Sequence, residues 1–170
     1  IAYRVNSKTE MIHFFLEVFK ETHETVLFVK PISGIGGKGC FLLKQEQLEW
    51  QIQKYGDLLL SHNYIHQEKI KQHDTVSNIY SHAINTIRIN TYLDTQGKCH
   101  IISALMRFGS GNMVTDNESS GGFYVALDIE KECLIGTGKE SIVYGSAVHT
   151  QHPDTKVLLN GYNIPFIKES

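Results

Sequence analysis

The chain has 170 residues, 41% hydrophobic and 20% charged, which suits one globular domain with a real core; two full domains would be a squeeze. Sixteen Lys and Arg against eighteen Asp and Glu give a formal net charge of −2, without the basic excess of a dedicated nucleic-acid binder. No apolar run nears the ~20 residues that span a bilayer, and no signal peptide opens the chain. Cys40, Cys99 and Cys133 are odd in number, widely spaced and outside any CxxC pair, which argues against a disulfide framework or structural zinc and for a reducing cytoplasm. The chain begins at Ile1 rather than Met and stops at Ser170 just after an apolar stretch, so a piece of a longer protein is expected.

Met11, Phe14, Phe15, Val18 and Phe19 fall on one face of an amphipathic helix, with Ser7 placed to cap it. Thr25 to Lys30 is a β-branched and aromatic run ended by Pro31. Ser33-Gly34-Ile35-Gly36-Gly37-Lys38-Gly39 is too glycine-rich for helix or strand and predicts a loop. A strand resumes at Cys40-Phe41-Leu42-Leu43, and the stripe Leu48, Ile52, Tyr55, Leu58, Leu59 predicts a second helix over 45–61. Tyr64 to Ile70 reads as a short strand becoming a connector. From Asn85 the period changes to two. Residues 86–93 and 99–108 form a hairpin about the turn Asp94-Thr95-Gln96-Gly97, followed by a long polar loop through Gly122. Strands follow around 123–129 and 132–136, and beyond 140 the signal is weak apart from His152-Pro153 and Ile164-Pro165-Phe166-Ile167. No internal repeat is present. The expected fold class is α+β, a helix–strand–loop–strand–helix half (1–75) followed by an antiparallel half (76–170).

The glycine loop carries the first chemistry. Glycines let successive N–H groups converge on phosphate oxygens, and Lys38 adds a cation. The string matches G-x-G-x-x-G, but a dinucleotide fingerprint needs a helix next, and here a strand follows. A Walker lysine needs Ser or Thr next, and Gly39 stands there. What remains is a flap joining two antiparallel strands over nucleotide phosphates, against the bland reading of a plain hairpin. Lys30 tips the balance toward phosphate, because a cation ending an apolar strand beside such a loop needs an anion.

Taken in order, Val29-Lys30-Pro31, Gly34-x-Gly36-Gly37-Lys38-Gly39 and Ile65 to Ile70 resemble the nucleotide-site elements of the ATP-grasp superfamily. Asn85-Thr86-x-Arg88, Arg107-Phe108-Gly109, Asp116-Asn117, Gly121-Gly122 and His152-Pro153 are similar to its sugar-transfer-associated branch, related to α-L-glutamate ligases. The resemblance covers nearly all of residues 1–167. It implies that Lys30 contacts the α/β-phosphates, that Gly34 and Gly36 to Gly39 with Lys38 close over the β/γ-phosphates, and that Gln67, Glu68, Lys69 and Ile70 form the adenine hinge. It further implies that Arg88 and Arg107, on inward strand positions, stabilise the transferring phosphoryl or an acyl phosphate. Asn117 would hold phosphate or acceptor, Gly121-Gly122 would let the backbone approach closely, and Gln72 and His73 would reach the ribose. Asp116-Asn117 also reads as a turn former, and His82, His149 and His152 match no common metal-ligand spacing, so they read as surface or turn histidines.

The implied cofactors are ATP and Mg²⁺. The family's Asp and Glu-x-Asn metal ligands have no counterpart here and are expected beyond Ser170. The segment alone is therefore expected to bind ATP·Mg²⁺ poorly and to be inactive, and the full-length protein to bind it and catalyse. The implied function is an ATP-dependent carboxylate–amine or carboxylate–nucleophile ligase acting through an acyl phosphate, cytoplasmic and set in surface-polysaccharide assembly. Its partners would be ATP and a small carboxylate or sugar-linked substrate, with no nucleic acid and no membrane span. Phosphotransfer to a sugar hydroxyl and a non-catalytic nucleotide-binding module are the alternatives.

Overall fold

The computed structural model describes residues 4–61, 63–143 and 145–165; Phe166 and Ile167 of the terminal apolar stretch lie outside them. The fold is α+β, and its contacts divide the chain into two units, Ile1–Ile70 and Lys71–Ser170.

The first unit opens with α1 (Lys8–Thr22), capped as its sequence predicts: the Ser7 side chain accepts from the Glu10 N–H. Strands β1 (Val26–Pro31), β2 (Phe41–Lys44) and β3 (Tyr64–Glu68) form an antiparallel sheet in the order β2-β1-β3. Pro31 does not stop β1 short; it is the last paired residue, opposite Tyr64, where an edge-like position forfeits no ladder bond. A 3-10 turn at Gln45–Gln47 leads into α2 (Leu48–Ser61). Alternation sends Leu27, Val29 and Leu43 to one face, where Met11, Phe15, Phe19, Leu48, Ile52 and Leu59 of the helices complete the core. Gln51 is buried on α2, and its amide donates to Leu42 O (2.8 Å) and accepts from Lys44 N–H (2.7 Å), so a helix side chain finishes the outer edge of β2.

The second unit starts with α3 (Asp74–Ile79), a short helix that the sequence reading misses because six residues are too few to show a period. Strands β4 (Ile87–Leu93), β5 (Cys99–Phe108), β6 (Phe123–Asp128), β7 (Cys133–Lys139) and β8 (Val148–His149) form a meander in sequence order. Asp94 builds the β4–β5 turn by accepting from the N–H groups of Gln96 and Lys98, with Gly97 at φ 80°. Met106, Phe108, Phe123, Val125, Leu127 and Leu134 line the core face with Val76, Ile79, Leu159 and Ile164. No helix among the described residues is long and apolar enough to cross a membrane.

Candidate functional site

In the first unit the loop between β1 and β2 is set by backbone handedness. Gly34, Gly36, Gly37 and Gly39 all have positive φ (151°, 69°, 70° and 77°), a region that side chains of L-residues rarely adopt. At Gly39 a Cβ would also stand 2.9 Å from the Tyr64 hydroxyl. Lys30 precedes the loop and pairs with Ile65, while Phe28, two residues earlier, pairs with Leu42 and Gln67. Side chains paired across an antiparallel ladder share a face, so Lys30, Gln67, Phe28 and Leu42 lie together on the face turned away from α1 and α2. The Lys30 ammonium also acts on Cys40, the residue that closes the loop: burial pushes that thiol up, and the lysine partly offsets it. Lys30 and Gln67 are thereby brought to one face of the sheet, while the loop's Gly34 and Gly39 border Pro31 and Tyr64, which alternate to the other face. Lys38 is exposed within the loop. Glu68 alternates to the opposite face from Gln67 and is exposed at the strand end, and Lys69 and Ile70 follow outside the strand. A concavity of about 470 Å³ lined by Thr25, Val26, Lys44, Gln45 and Glu46 lies at the other end of β1 and touches none of the expected residues.

In the second unit Arg88 pairs with Leu105, and Arg107, two residues on, donates its N–H to Thr86 O and pairs with Tyr124. Both arginines therefore share a face, as expected, but it is the open face of the sheet and not an inward one. The core face is already filled by Met106, Phe108 and Phe123. All of β4 is exposed, Arg88 included, whereas the Arg107 side chain is 24% exposed. Lys139, opposite Tyr124, adds a third cation to that face.

Arg107 is held in place. Its Nε and Nη2 donate to Thr86 Oγ1 at 3.1 and 2.7 Å, and the Thr86 hydroxyl and N–H both donate to Asp116 Oδ2. Asp116 is thus a buried anchor rather than a mere turn former. Asn117 opens the 3-10 turn at Glu118–Ser120, and its carbonyl accepts from the N–H groups of Ser120 and Gly122. Gly122 has no room for a side chain, since a Cβ would sit 2.5 Å from Asp116 O and 2.8 Å from Phe108 O.

Three expectations are corrected here. Gln72 is a bracket inside the unit: its Oε1 accepts from the N–H and the amide of Asn85 (2.7 and 3.0 Å), and its Nε2 donates to Tyr80 O (2.9 Å). His73 caps α3 by accepting from Thr75 N–H. Among the histidines, His82 is exposed, but His149 is half-buried against Glu140 (2.9 Å) and His152 is wholly buried. The His152 ring stacks on Tyr80 (4.9 Å), its Nδ1 accepts from Asp154 N–H, and its Nε2 therefore carries the proton given to Gly109 O (3.0 Å). Burial holds it below the ordinary imidazole value. With Asn85 Oδ1 accepting from Gly109 N–H, both backbone groups of Gly109 are tied, and the loop that follows Arg107 starts from a fixed point.

A family model, sugar-transfer associated ATP-grasp, matches residues 2–170. The chain belongs to this family. Neither the curated proteins nor the solved structures compared with it give a match. ATP-grasp proteins are in general ATP-dependent ligases that bind ATP, usually with Mg²⁺. Lys30 in the first unit and, separately, Arg88 and Arg107 in the second present cations on open sheet faces, the chemistry that anions meet. No group of three or more His, Cys, Asp or Glu side chains that could hold a metal ion is found among the described residues. Thr86, Asn85 and His152 are the functional supports that sequence reasoning misjudged. Thr86 and Asn85 stood in a quoted motif without a role, and nothing local distinguishes His152-Pro153 from a turn.

Proposed function

We propose that this ATP-grasp chain binds ATP as part of an ATP-dependent ligase that activates a carboxylate as its acyl phosphate, for attack by an amine or other nucleophile. The observation carrying this reading is Lys30 on one open face with Gln67, at the mouth of a loop whose left-handed glycines fit the close approach of a phosphate. Lys30 would meet the α/β-phosphates, Gly34 and Gly36 to Gly39 with Lys38 would cover the β/γ-phosphates, and the stretch Gln67 to Ile70 would read the adenine edge. Arg107, and Arg88 on the same face, would stabilise charge on the phosphoryl group in transfer, a role suited to a planar donor fork. Asn117 would hold the phosphate or the acceptor. Mg²⁺ would come with the triphosphate, adding positive charge there. A carboxylate oxygen attacks the γ-phosphorus and ADP leaves; the nucleophile then displaces phosphate, so chemistry here is positioning and charge neutralisation. The family's description as sugar-transfer associated supports a sugar-linked amine in polysaccharide assembly as the acceptor.

Hydroxylamine trapping with the full-length protein tests it, since the segment alone is expected to be inactive. With ATP and a panel of small carboxylates, hydroxamate should form together with ADP. ADP formation with a phosphorylated sugar hydroxyl and no hydroxamate would instead establish a phosphotransferase, and ATP binding without turnover of any carboxylate or sugar would favour a non-catalytic module.

A further inference from the structure

Arg107 is one of three arginines in the chain, with Arg4 and Arg88, and its guanidinium is gripped by a buried carboxylate through an intervening hydroxyl. We propose that Thr86 and Asp116 are positioning residues for Arg107, Thr86 acting as the relay; this rests on the reading of Arg107 as the phosphoryl-facing cation. The hydrogen count supports the assignment. The Thr86 hydroxyl gives its single proton to Asp116 Oδ2 and fills its two lone pairs with the Nε and Nη2 protons of Arg107. The Asp116 carboxylate comes no closer to the guanidinium than 3.6 Å, so it does not take the two-pronged contact that carboxylate and guanidinium ordinarily form. Spending the Nε edge on a neutral hydroxyl leaves the edge between Nη1 and Nη2, the fork that matches phosphate oxygens, pointing elsewhere. Asp116 is in turn fixed by the Thr86 N–H at 2.8 Å, and is only 7% exposed. An end-on ion pair would hold Arg107 but occupy that fork; the hydroxyl, set on the Nε edge, holds it while leaving the fork to a ligand.

The test compares affinities of the full-length protein for ATP and ADP, each with Mg²⁺, by calorimetry. If Arg107 meets the γ-phosphate, the wild type prefers ATP, and Arg107→Ala lowers that preference about tenfold, as befits one charged hydrogen bond. Thr86→Val, which keeps the shape and deletes the hydroxyl, and Asp116→Asn should each lower it to a similar extent, while Thr86→Ser should keep it. In an Arg107→Ala background Thr86→Val should lower it no further, whereas a merely structural role would add a second loss. Retention of the preference by Thr86→Val alongside its loss in Arg107→Ala overturns the proposal. If Arg107→Ala leaves the preference untouched, the phosphoryl reading falls, and the Arg107 Nε–H signal in ¹⁵N spectra then decides the positioning by itself. That signal should exchange slowly in the wild type and Thr86→Ser and quickly in Thr86→Val; slow exchange in Thr86→Val refutes the relay.

Discussion

At the scale of single residues, the candidate site depends on one lysine and on glycines used for two different reasons. Lys30→Ala should weaken ATP binding by about 2 kcal/mol, roughly thirtyfold, with little change in the melting temperature, because the side chain lies off the core face. Binding isotherms beside melting curves separate the two effects. Gly122→Ala should behave in the opposite way. Its φ is not in the left-handed region, yet a Cβ would press on three backbone carbonyl oxygens, none of which can rotate aside. A loss of about 3 kcal/mol is expected, readable in urea unfolding. These roles differ in how they show in sequence. A cluster such as Gly34-x-Gly36-Gly37-x-Gly39 announces a backbone requirement, whereas the demand on Gly122 comes from the carbonyls of Phe108 and Asp116, which meet it only once the intervening loop has folded back.

At the scale of elements, what is legible is what repeats locally. The stripe of Met11, Phe15 and Phe19, the alternation of β4 and β5 and the Asp94 turn all carry their own period, and the structure keeps them with boundaries shifted by a residue or two. Ser7→Ala should cost α1 about 1 kcal/mol, measurable as a lowered melting temperature, because the first-turn Glu10 N–H loses its acceptor. The short α3 and β8 do not declare themselves, since six and two residues without a marked apolar pattern show no period of their own. The site divides similarly. The glycine loop and Lys30 stand out because composition alone marks them. The supports of Arg107 do not, because Asp116 and Thr86 are 30 residues apart and meet only after β4 and β5 have paired. Gln51 is a further case, a polar residue on an apolar helix stripe whose purpose is visible only once β2 lies beside it.

At the scale of the whole molecule, each unit holds a histidine that prefers to be neutral, His66 half-buried in the first and His152 buried in the second, each held below the ordinary value of 6.5 by desolvation. The unfolded chain then takes up protons that the folded chain refuses. Stability is therefore complete above about pH 6.5 and is lost as pH falls below it through the depressed folded values. Thermal unfolding followed from pH 7.5 to pH 5 should show a falling midpoint. His152→Gln should start lower at pH 7.5, having lost the ring stacked on Tyr80, but fall less steeply with acid. The partition of the chain at Ile70 and Lys71 has a practical side as well. The joint cuts no helix or strand, so split-intein ligation there could join an isotope-enriched second half to an unlabelled first half. The product would show two guanidinium resonances, those of Arg88 and Arg107, in an otherwise silent spectral window.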